Sequence, residues 1–222
     1  MRKPVVLSWS GGKDSALALD ALSRDPEVEV VGLLTSVTRS YDRISVHGVR
    51  RSMLEAQVER LGLPLFEISL SPNCTNDAYE AAFHEALEEI GREHPDVTHI
   101  AFGDLYLADV RAYRERLLAG SGFDPLFPIW GLDTAGLARR FISDGFIARL
   151  VCVDTTQLDG AFAGRLFDEE FLADLPATTD PCGERGEFHT FVSDGPQFSA
   201  PIPYRVGETV LRDDRFMFCD IE

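Results

Sequence analysis

The first 120 residues alternate short apolar runs with longer amphipathic runs. The runs at 4–9, 28–37, 63–70 and 97–105 are rich in Val, Ile, Leu and Phe, as buried strands are. Apolar residues recur at helical spacing in the segments at 14–24, 50–62, 76–91 and 108–120. Because parallel strands need crossover connections that cover both faces, this alternation predicts an α/β fold with a doubly wound parallel sheet.

The pattern changes after "GFDPLFPIW". A helix that Asp133 can cap and a strand at 146–154 are followed by prolines, short segments and two hairpin strands within 206–221. This part predicts a smaller α+β subdomain. We place a boundary near Pro128, which divides the chain into residues 1–128 and 129–222.

Composition excludes several classes of protein. The chain is 45% apolar and 26% charged, which indicates a folded core. The net charge of -16, without a run of basic residues, argues against nucleic acid as the main partner. We find no signal peptide and no apolar run near the length of a membrane span, so we expect a cytoplasmic protein. A homo-oligomer is compatible with this composition.

Cysteine spacing does not indicate a zinc or redox site. The four cysteines, Cys74, Cys152, Cys182 and Cys219, are far apart and form no CxxC pair. We expect buried thiols that act as small apolar side chains.

The sequence "SWSGGKDSALAL" joins the first predicted strand to the first predicted helix. At such a turn, free backbone N–H groups and the positive end of the helix dipole bind anions. Gly11 and Gly12 allow close approach of a phosphate, the hydroxyls of Ser10 and Ser15 add donors, and Lys13 adds a positive charge. The turn therefore predicts a phosphate site.

Asp14 distinguishes this turn from the common nucleotide loops. A carboxylate beside phosphates repels them unless it turns away, caps the helix or holds a divalent cation. The stretch fits neither G-x-x-x-x-G-K-[ST] nor G-x-G-x-x-G. It resembles the SGGxDS loop of ATP pyrophosphatases, which cleave ATP to AMP and pyrophosphate and adenylate a substrate. The alternative is a glycine-rich turn with a surface lysine.

A second polar cluster lies in "DPCGERGEFHTFVSDGPQF". It combines Glu184, Glu187, His189 and Thr190 with several glycines, and alone it would also fit a turn in which Glu187 and His189 share hydrogen bonds. Together with the phosphate loop, "FGDL" and "PLFPIW", in this order, it resembles the diphthine–ammonia ligase family and its relatives. The resemblance covers nearly the whole chain.

The resemblance implies where ATP binds. Gly103 and Asp104, at the end of the fourth strand, would line the nucleotide or metal pocket, with Mg²⁺ held near Asp14 or Asp104; a helix cap is the other role for Asp104. Thr35 and Ser36, at the end of the second strand, would face the adenine. The implied phosphate-binding residues are Ser10, Gly11, Gly12, Lys13, Asp14 and Ser15.

The resemblance also implies the reaction. ATP would convert a carboxylate into an acyl-adenylate, and ammonia or an amine would then displace AMP. Lys13 would stabilise the departing pyrophosphate, while Glu187 or His189 would act as general base. Glu184 and Thr190 would belong to the same catalytic side of the site.

The acceptor stays open at this level. "YDRISVHGVRRSM" stands where we expect a segment rich in tyrosine and methionine in the protein-modifying members. The acceptor is either a modified histidine of an elongation factor or a small carboxylate metabolite. His47, within this segment, is either a site residue or a turn residue before Gly48.

Two other functions would use the same phosphate loop. A tRNA-modifying enzyme would usually show catalytic cysteine pairs or a basic surface, and this sequence has neither. A nucleotide-binding sensor without catalysis would leave "GERGEFHT" without a role.

Overall fold

The computed structural model describes residues 2–38, 40, 42–44 and 48–222. Its amino-terminal part is a sheet flanked by four helices. The strands are β1 (Lys3–Ser8), β2 (Val28–Thr38), β3 (Arg43–Ile44), β4 (Leu65–Leu70), β5 (His99–Ala101) and β6 (Asp124–Leu126). The helices are α1 (Lys13–Ser23), α2 (Arg51–Leu61), α3 (Asn76–Glu93) and α4 (Ala108–Leu118).

The main strands are parallel, in the order β4-β2-β1-β5-β6, and the short β3 pairs antiparallel with the end of β2. β1 lies in the middle, with β2 on one side and β5 on the other. The strand order therefore reverses at β1, and ligands of open α/β sheets bind at the carboxyl ends of the strands at such a point. The predicted parallel α/β fold is confirmed.

Helices cover both faces of this sheet. Val5 and Leu7 of β1 belong to a core shared with α1 and α2, whereas Val6 belongs to a second core shared with α3 and α4. The assignment alternates because successive side chains of a strand point to opposite faces. The sheet is doubly wound, as predicted.

The carboxyl-terminal part is an antiparallel sheet in the order β8-β7-β10-β9. Its strands are β7 (Ile147–Asp154), β8 (Phe188–Asp194), β9 (Val206–Arg212) and β10 (Phe216–Ile221), accompanied by α5 (Thr134–Ser143), α6 (Glu169–Asp174) and a short 3₁₀ helix (Gly160–Phe162). The predicted cap is confirmed, because the Asp133 carboxylate accepts a hydrogen bond from the Gly136 N–H at 2.7 Å. The predicted hairpin is formed by β9 and β10.

The two sheets share one hydrophobic core. Phe141 and Phe146 stack with ring centroids 4.8 Å apart, and Phe171 meets Phe188 of β8 at 5.3 Å. The Val192 N–H of β8 donates to the Gly11 carbonyl at 2.9 Å. The carboxyl-terminal sheet thus contacts the phosphate loop directly. The boundary near Pro128, which falls between β6 and α5, stays a prediction.

The sequence did not predict β6. This strand has three residues, one of which is Pro125. Proline cannot donate to a sheet ladder, and it is tolerated here because β6 is the edge strand.

Two further expectations concern membrane-spanning helices and the burial of the cysteine thiols. None of the described helices combines the length and apolar character that a membrane span requires. Cys152, Cys182 and Cys219 are buried free thiols, as predicted, whereas Cys74 is half-buried.

Candidate active site

The turn between β1 and α1 has the geometry of an anion-binding site. Gly11 has a φ of 78°, and a Cβ there would lie 2.7 Å from Gln57 Oε1, so the turn requires glycine. α1 follows Gly12, a cap residue that supplies no side-chain hydrogen bond. The first N–H groups of α1 therefore need acceptors from elsewhere. Thr190 Oγ1 of β8 is one, and it accepts from the Lys13 N–H at 3.0 Å.

The loop after β5 closes onto this turn because residue 103 is glycine. A Cβ on Gly103 would lie 2.9 Å from the backbone carbonyl of Asp14, closer than real side chains come. β5 pairs with β1, so the carboxyl ends of two neighbouring parallel strands meet here, as predicted. Asp104 follows, and its carboxylate lies 3.5 Å from Nε of Arg114 on α4.

The loop at 180–187 supplies the third side. Glu184 Oε1 accepts hydrogen bonds from the N–H groups of Leu105, at 2.8 Å, and Tyr106, at 3.4 Å. Glu184 thereby joins the carboxyl-terminal part to the loop after β5. His189 and Thr190 come next, on β8.

These three segments enclose a cavity of about 250 Å³. Arg114 of α4 and Phe188 complete its wall. The predicted site residues that line it are Ser10, Lys13, Asp14, Ser15, Gly103, Asp104, Glu184, His189 and Thr190.

Lys13 is the buried cation of this cavity. Its Nζ donates to Asp14 Oδ2 at 2.9 Å and lies 5.3 Å from the centre of the Phe188 ring. Burial is the largest single effect and opposes the charged form, but Asp14, Cys182 and Glu184 together outweigh burial and raise the pKa of Lys13. The ammonium therefore keeps its proton at neutral pH.

The carboxylates of the cavity have raised pKa values. Burial raises the pKa of Asp14 against the effect of Lys13, and it raises the pKa of Asp104 against the effect of Arg114. Burial likewise raises the pKa of Glu184. Asp14 Oδ1 and Asp104 Oδ2 are buried without a hydrogen-bond partner in the part of the chain that the structure describes. A buried group left so costs about 1–3 kcal/mol.

The donor set fits a divalent cation. Carboxylate oxygens are the ligands that Mg²⁺ prefers, and one or two of them suffice where phosphates and waters supply the rest. Asp14 and Asp104 offer such oxygens at the phosphate turn. Within the described ranges, no group of three or more His, Cys, Asp or Glu side chains is placed to hold a metal ion by itself.

Most of the sequence matches two domain families. Residues 2–125 match the family described as the diphthamide synthase N-terminal domain, and residues 133–221 match the diphthamide synthase C-terminal domain. The chain belongs to the diphthamide synthase family. The resemblance to diphthine–ammonia ligases is thereby confirmed.

Individual relatives of this diphthamide synthase family member are distant. It is 26% identical to the diphthine–ammonia ligase of Danio rerio, over 92% of this chain and 88% of that protein. It is 24% identical to the diphthine–ammonia ligase of Homo sapiens, over 91% of this chain and 83% of that protein. The corresponding values for the Schizosaccharomyces pombe protein are 24%, 87% and 34%. The prediction of an ATP-dependent amide-forming ligase agrees with these names.

One solved structure shows a weak likeness. Candida glabrata FMN adenylyltransferase, in complex with FAD and inorganic pyrophosphate, matches at a TM-score of 0.37 and 16% identity, over 65% of this chain and 50% of that chain. A likeness at this level adds nothing to the assignment of fold or function.

Several residues predicted for the site of this family member lie outside the cavity. Thr35 is buried in β2, where its Oγ1 donates to the Trp9 carbonyl at 2.7 Å, and neither Thr35 nor Ser36 lines the cavity. Gly11 and Gly12 shape the phosphate turn. His47 lies outside the described residues.

Glu187 holds its own loop. It is buried, and its carboxylate accepts hydrogen bonds from the N–H groups of Asp180, at 3.0 Å, and Arg185, at 2.9 Å. The Arg185 guanidinium adds a third contact at 3.1 Å. Glu187 does not line the cavity, whereas His189, the other predicted base, does.

Two polar residues next to the site were missed by the sequence analysis. Arg114 looked like one of several solvated arginines on α4. Gln57 is fully buried: its amide donates to the carbonyls of Gly11, at 2.9 Å, and Val192, at 2.7 Å. A signal for Gln57 was present, because it lies three residues after Leu54 and four before Leu61, on the apolar stripe of α2.

Proposed function

We propose that this chain is an ATP-dependent amide ligase that adenylates a carboxylate, releases pyrophosphate and then exchanges AMP for ammonia or an amine. The proposal rests on one observation. The phosphate turn, the loop after β5 and the loop at 180–187 meet around one cavity that contains a buried lysine and two buried carboxylate oxygens that accept no hydrogen bond from the described residues.

Lys13 and Arg114 are the proposed phosphate-binding cations. Lys13 sits at the amino terminus of α1, where the helix dipole also favours an anion. Arg114 enters from α4, and its Nε is buried without a hydrogen-bond partner among the described residues. Both cations line the same cavity. Together they would neutralise part of the charge of ATP and of the departing pyrophosphate.

Asp14 and Asp104 are the proposed ligands of Mg²⁺. When bound, Mg²⁺ would offset the repulsion between these carboxylates and the phosphates and would polarise the phosphoryl oxygens. Without a cation, the same carboxylates would repel ATP.

The proposed chemistry has two balanced steps. A carboxylate oxygen of the acceptor attacks the α-phosphorus, and the bond from that phosphorus to the β-phosphate oxygen breaks, so pyrophosphate leaves with the bonding electrons. The nitrogen of ammonia then attacks the acyl carbon, and the bond to the AMP oxygen breaks. His189 lines the cavity and is our proposed acceptor of the proton that the nitrogen loses.

The carboxyl end of β2 indicates where the adenine of ATP would lie. β2 continues beyond the residue that pairs with the end of β1, because Ser8 pairs with Leu34 and β2 ends at Thr38. We therefore propose that the adenine lies towards this end of β2, near Ser36. The proposed acceptor is a carboxylate such as diphthine on an elongation factor, or a small carboxylate metabolite, and the proposed location is cytoplasmic.

The direct test is a turnover assay with product analysis. The protein is incubated with ATP, Mg²⁺ and ammonium, together with either diphthine-bearing elongation factor or a panel of small carboxylates. We expect AMP and pyrophosphate in equal amounts with the amide, and only when acceptor and ammonium are both present. Lys13→Met should lower the rate of the reaction about 10²–10³-fold, while Lys3→Met, which changes the other lysine of the chain, should not lower it. ADP and phosphate as the sole products would overturn the proposal.

A further inference from the structure

β9 is the edge strand of the carboxyl-terminal sheet and is exposed on both of its faces. It lies at the end of the order β8-β7-β10-β9. Val206, Val210 and Leu211 expose 48%, 39% and 46% of their surface. An edge strand offers backbone N–H and C=O groups to a strand of another chain, and natural proteins usually block such edges. Here exposed apolar side chains accompany the edge.

One face of β9 carries a self-complementary charge pattern. Glu208, Val210 and Arg212 share that face, because every second residue of a strand points the same way. Neither Glu208 nor Arg212 forms an ion pair within the described part of the chain. Their order along the strand is acidic, apolar, basic. When a second copy runs antiparallel, the acidic residue of each copy can therefore lie opposite the basic residue of the other.

Symmetry limits the register of such a pair. A two-fold axis perpendicular to the joined sheet keeps each face of β9 on the same side. Such an axis must lie midway between the two copies of one residue, and we describe it as an axis through that residue. An axis through Glu208 would bring two carboxylates together, and an axis through Thr209 would place Glu208 opposite Val210. An axis through Val210 places each Glu208 opposite Arg212 of the other copy and pairs the two valines, which is the favourable arrangement for cross-strand neighbours.

The hairpin that follows β9 also fits this register. With the axis at Val210, residue 207 of one copy lies opposite residue 213 of the other, at the turn between β9 and β10. Residue 207 is glycine, so no side chain there obstructs the turn.

We propose that two copies of this chain associate through antiparallel pairing of β9 centred on Val210, which joins their carboxyl-terminal sheets into one. The partner is a second copy because the charge pattern complements itself. The paired segment is short, so the dimer should dissociate on dilution. This proposal does not depend on the proposed enzymatic function.

A charge exchange tests both the contact and its register. Sedimentation velocity over a range of protein concentrations should show a monomer–dimer equilibrium for the wild-type chain. Glu208→Arg or Arg212→Glu alone places like charges opposite each other and should raise the dissociation constant about tenfold or more. The double variant, with both changes, should restore the wild-type value.

The exposed positions of these residues keep the test interpretable. Both side chains are exposed, so each variant should melt within a few degrees of the wild type. As a control, Arg92→Glu changes an exposed arginine on α3, away from β9, and should leave association unchanged. A wild-type chain that stays monomeric at every concentration, or a double variant that associates no better than the single variants, would overturn the proposal.

Discussion

Two groups of carboxylates in this molecule, one buried and one half-buried, differ in how completely the protein satisfies their hydrogen-bonding capacity. Asp154, at the end of β7, accepts hydrogen bonds from Arg215 at 2.6 and 3.0 Å, and further bonds from Thr156 and Gln157. In the cavity, Asp14 and Asp104 each keep a buried oxygen without a hydrogen bond from the described residues, and the one on Asp104 has only the 3.5 Å ion pair with Arg114. Asp154 is fully buried and Asp14 and Asp104 are half-buried, yet the more deeply buried carboxylate is the one whose hydrogen bonds the protein supplies.

The pKa directions follow this difference. The hydrogen bonds from Arg215 lower the pKa of Asp154 well below its usual range. In the cavity, burial raises the pKa values of Asp14, Asp104 and Glu184. A carboxylate that only holds the fold finds its partners within the protein, whereas an incompletely satisfied group indicates a ligand.

The largest expected effect is on turnover when the charges of the cavity are removed. Asp14→Asn and Lys13→Met should each lower turnover about 10²–10³-fold, because both groups act on developing charge at the phosphates. Asp14→Asn removes the 2.9 Å partner of the buried Lys13 ammonium, so the melting temperature is measured as well and turnover is expressed per folded molecule. Turnover within a few-fold of wild type in both variants, with Lys3→Met as the matched control, would show that the cavity is not the active site.

Asp154→Asn should lower the stability of the fold and leave ATP binding unchanged, the opposite of what we expect for the cavity variants. It removes the ion pair with Arg215 and weakens the turn that follows β7, so we expect a loss of about 2–3 kcal/mol in the free energy of unfolding. Urea unfolding measures this loss. The affinity for ATP with Mg²⁺, measured by calorimetry well below the melting temperature, should stay as in the wild type. A selective loss of ATP binding would contradict the structural role of Asp154.

The two glutamates of "GERGE" allow the same comparison within one loop. Glu187→Gln replaces an acceptor of two N–H groups and of Arg185, so it should cost about 1–2 kcal/mol of stability and leave turnover per folded molecule nearly intact. Glu184→Gln should change turnover more than stability, because Glu184 lines the cavity. If instead Glu187→Gln abolished turnover at an unchanged melting temperature, Glu187 would be the catalytic base.

The smallest expected effect is a pH dependence with opposite signs for the two groups. Asp154 has a lowered pKa, so its stabilisation is present above the usual carboxyl pKa and is lost as the pH falls through the folded value. The wild type should therefore lose its advantage over Asp154→Asn on acidification. Asp14 has a raised pKa, so its ionised form destabilises the fold at neutral pH and protonation removes that cost. The stability of the wild type relative to Asp14→Asn should therefore rise on acidification.

Urea titrations at several pH values measure both differences on the same preparations. A wild type that lost stability relative to Asp14→Asn on acidification would contradict the raised pKa of Asp14. A gap between wild type and Asp154→Asn that stayed constant down to acidic pH would contradict the lowered one.

Much of this arrangement could be predicted from the sequence, because periodicity identifies elements and parallel sheets place their ligands at strand ends. The phosphate turn at Gly11 was predicted on that basis, and the resemblance to the ligase family implied that Gly103 and Asp104 line the same pocket. The direction of individual side chains in an irregular loop could not be predicted. Glu184 and Glu187 are separated by a turn with positive φ at Gly186, and only the path of that turn decides that one lines the cavity and the other ties the loop.

Helix α4 shows the same limit. Its sequence "ADVRAYRERLLAG" contains three arginines, and such a charged composition is typical of a solvent-exposed helix. The packing of α4 against the sheet decides that Arg114 lines the cavity and stacks over Phe102, with its guanidinium 5.0 Å from the ring centre, while Arg111 stacks over Phe127 and Trp130. Periodicity contains no information about that contact.

The central claim is that ATP binds in the cavity, whose carboxylates lack hydrogen bonds, and not at the fully hydrogen-bonded cluster around Asp154. Calorimetric titration of ATP with Mg²⁺ into three proteins tests this claim most directly. The wild type and Asp154→Asn should bind one ATP per chain with the same affinity, and Lys13→Met should bind at least about tenfold more weakly. Equal affinity in the wild type and Lys13→Met, or weakened binding in Asp154→Asn alone, would contradict the account.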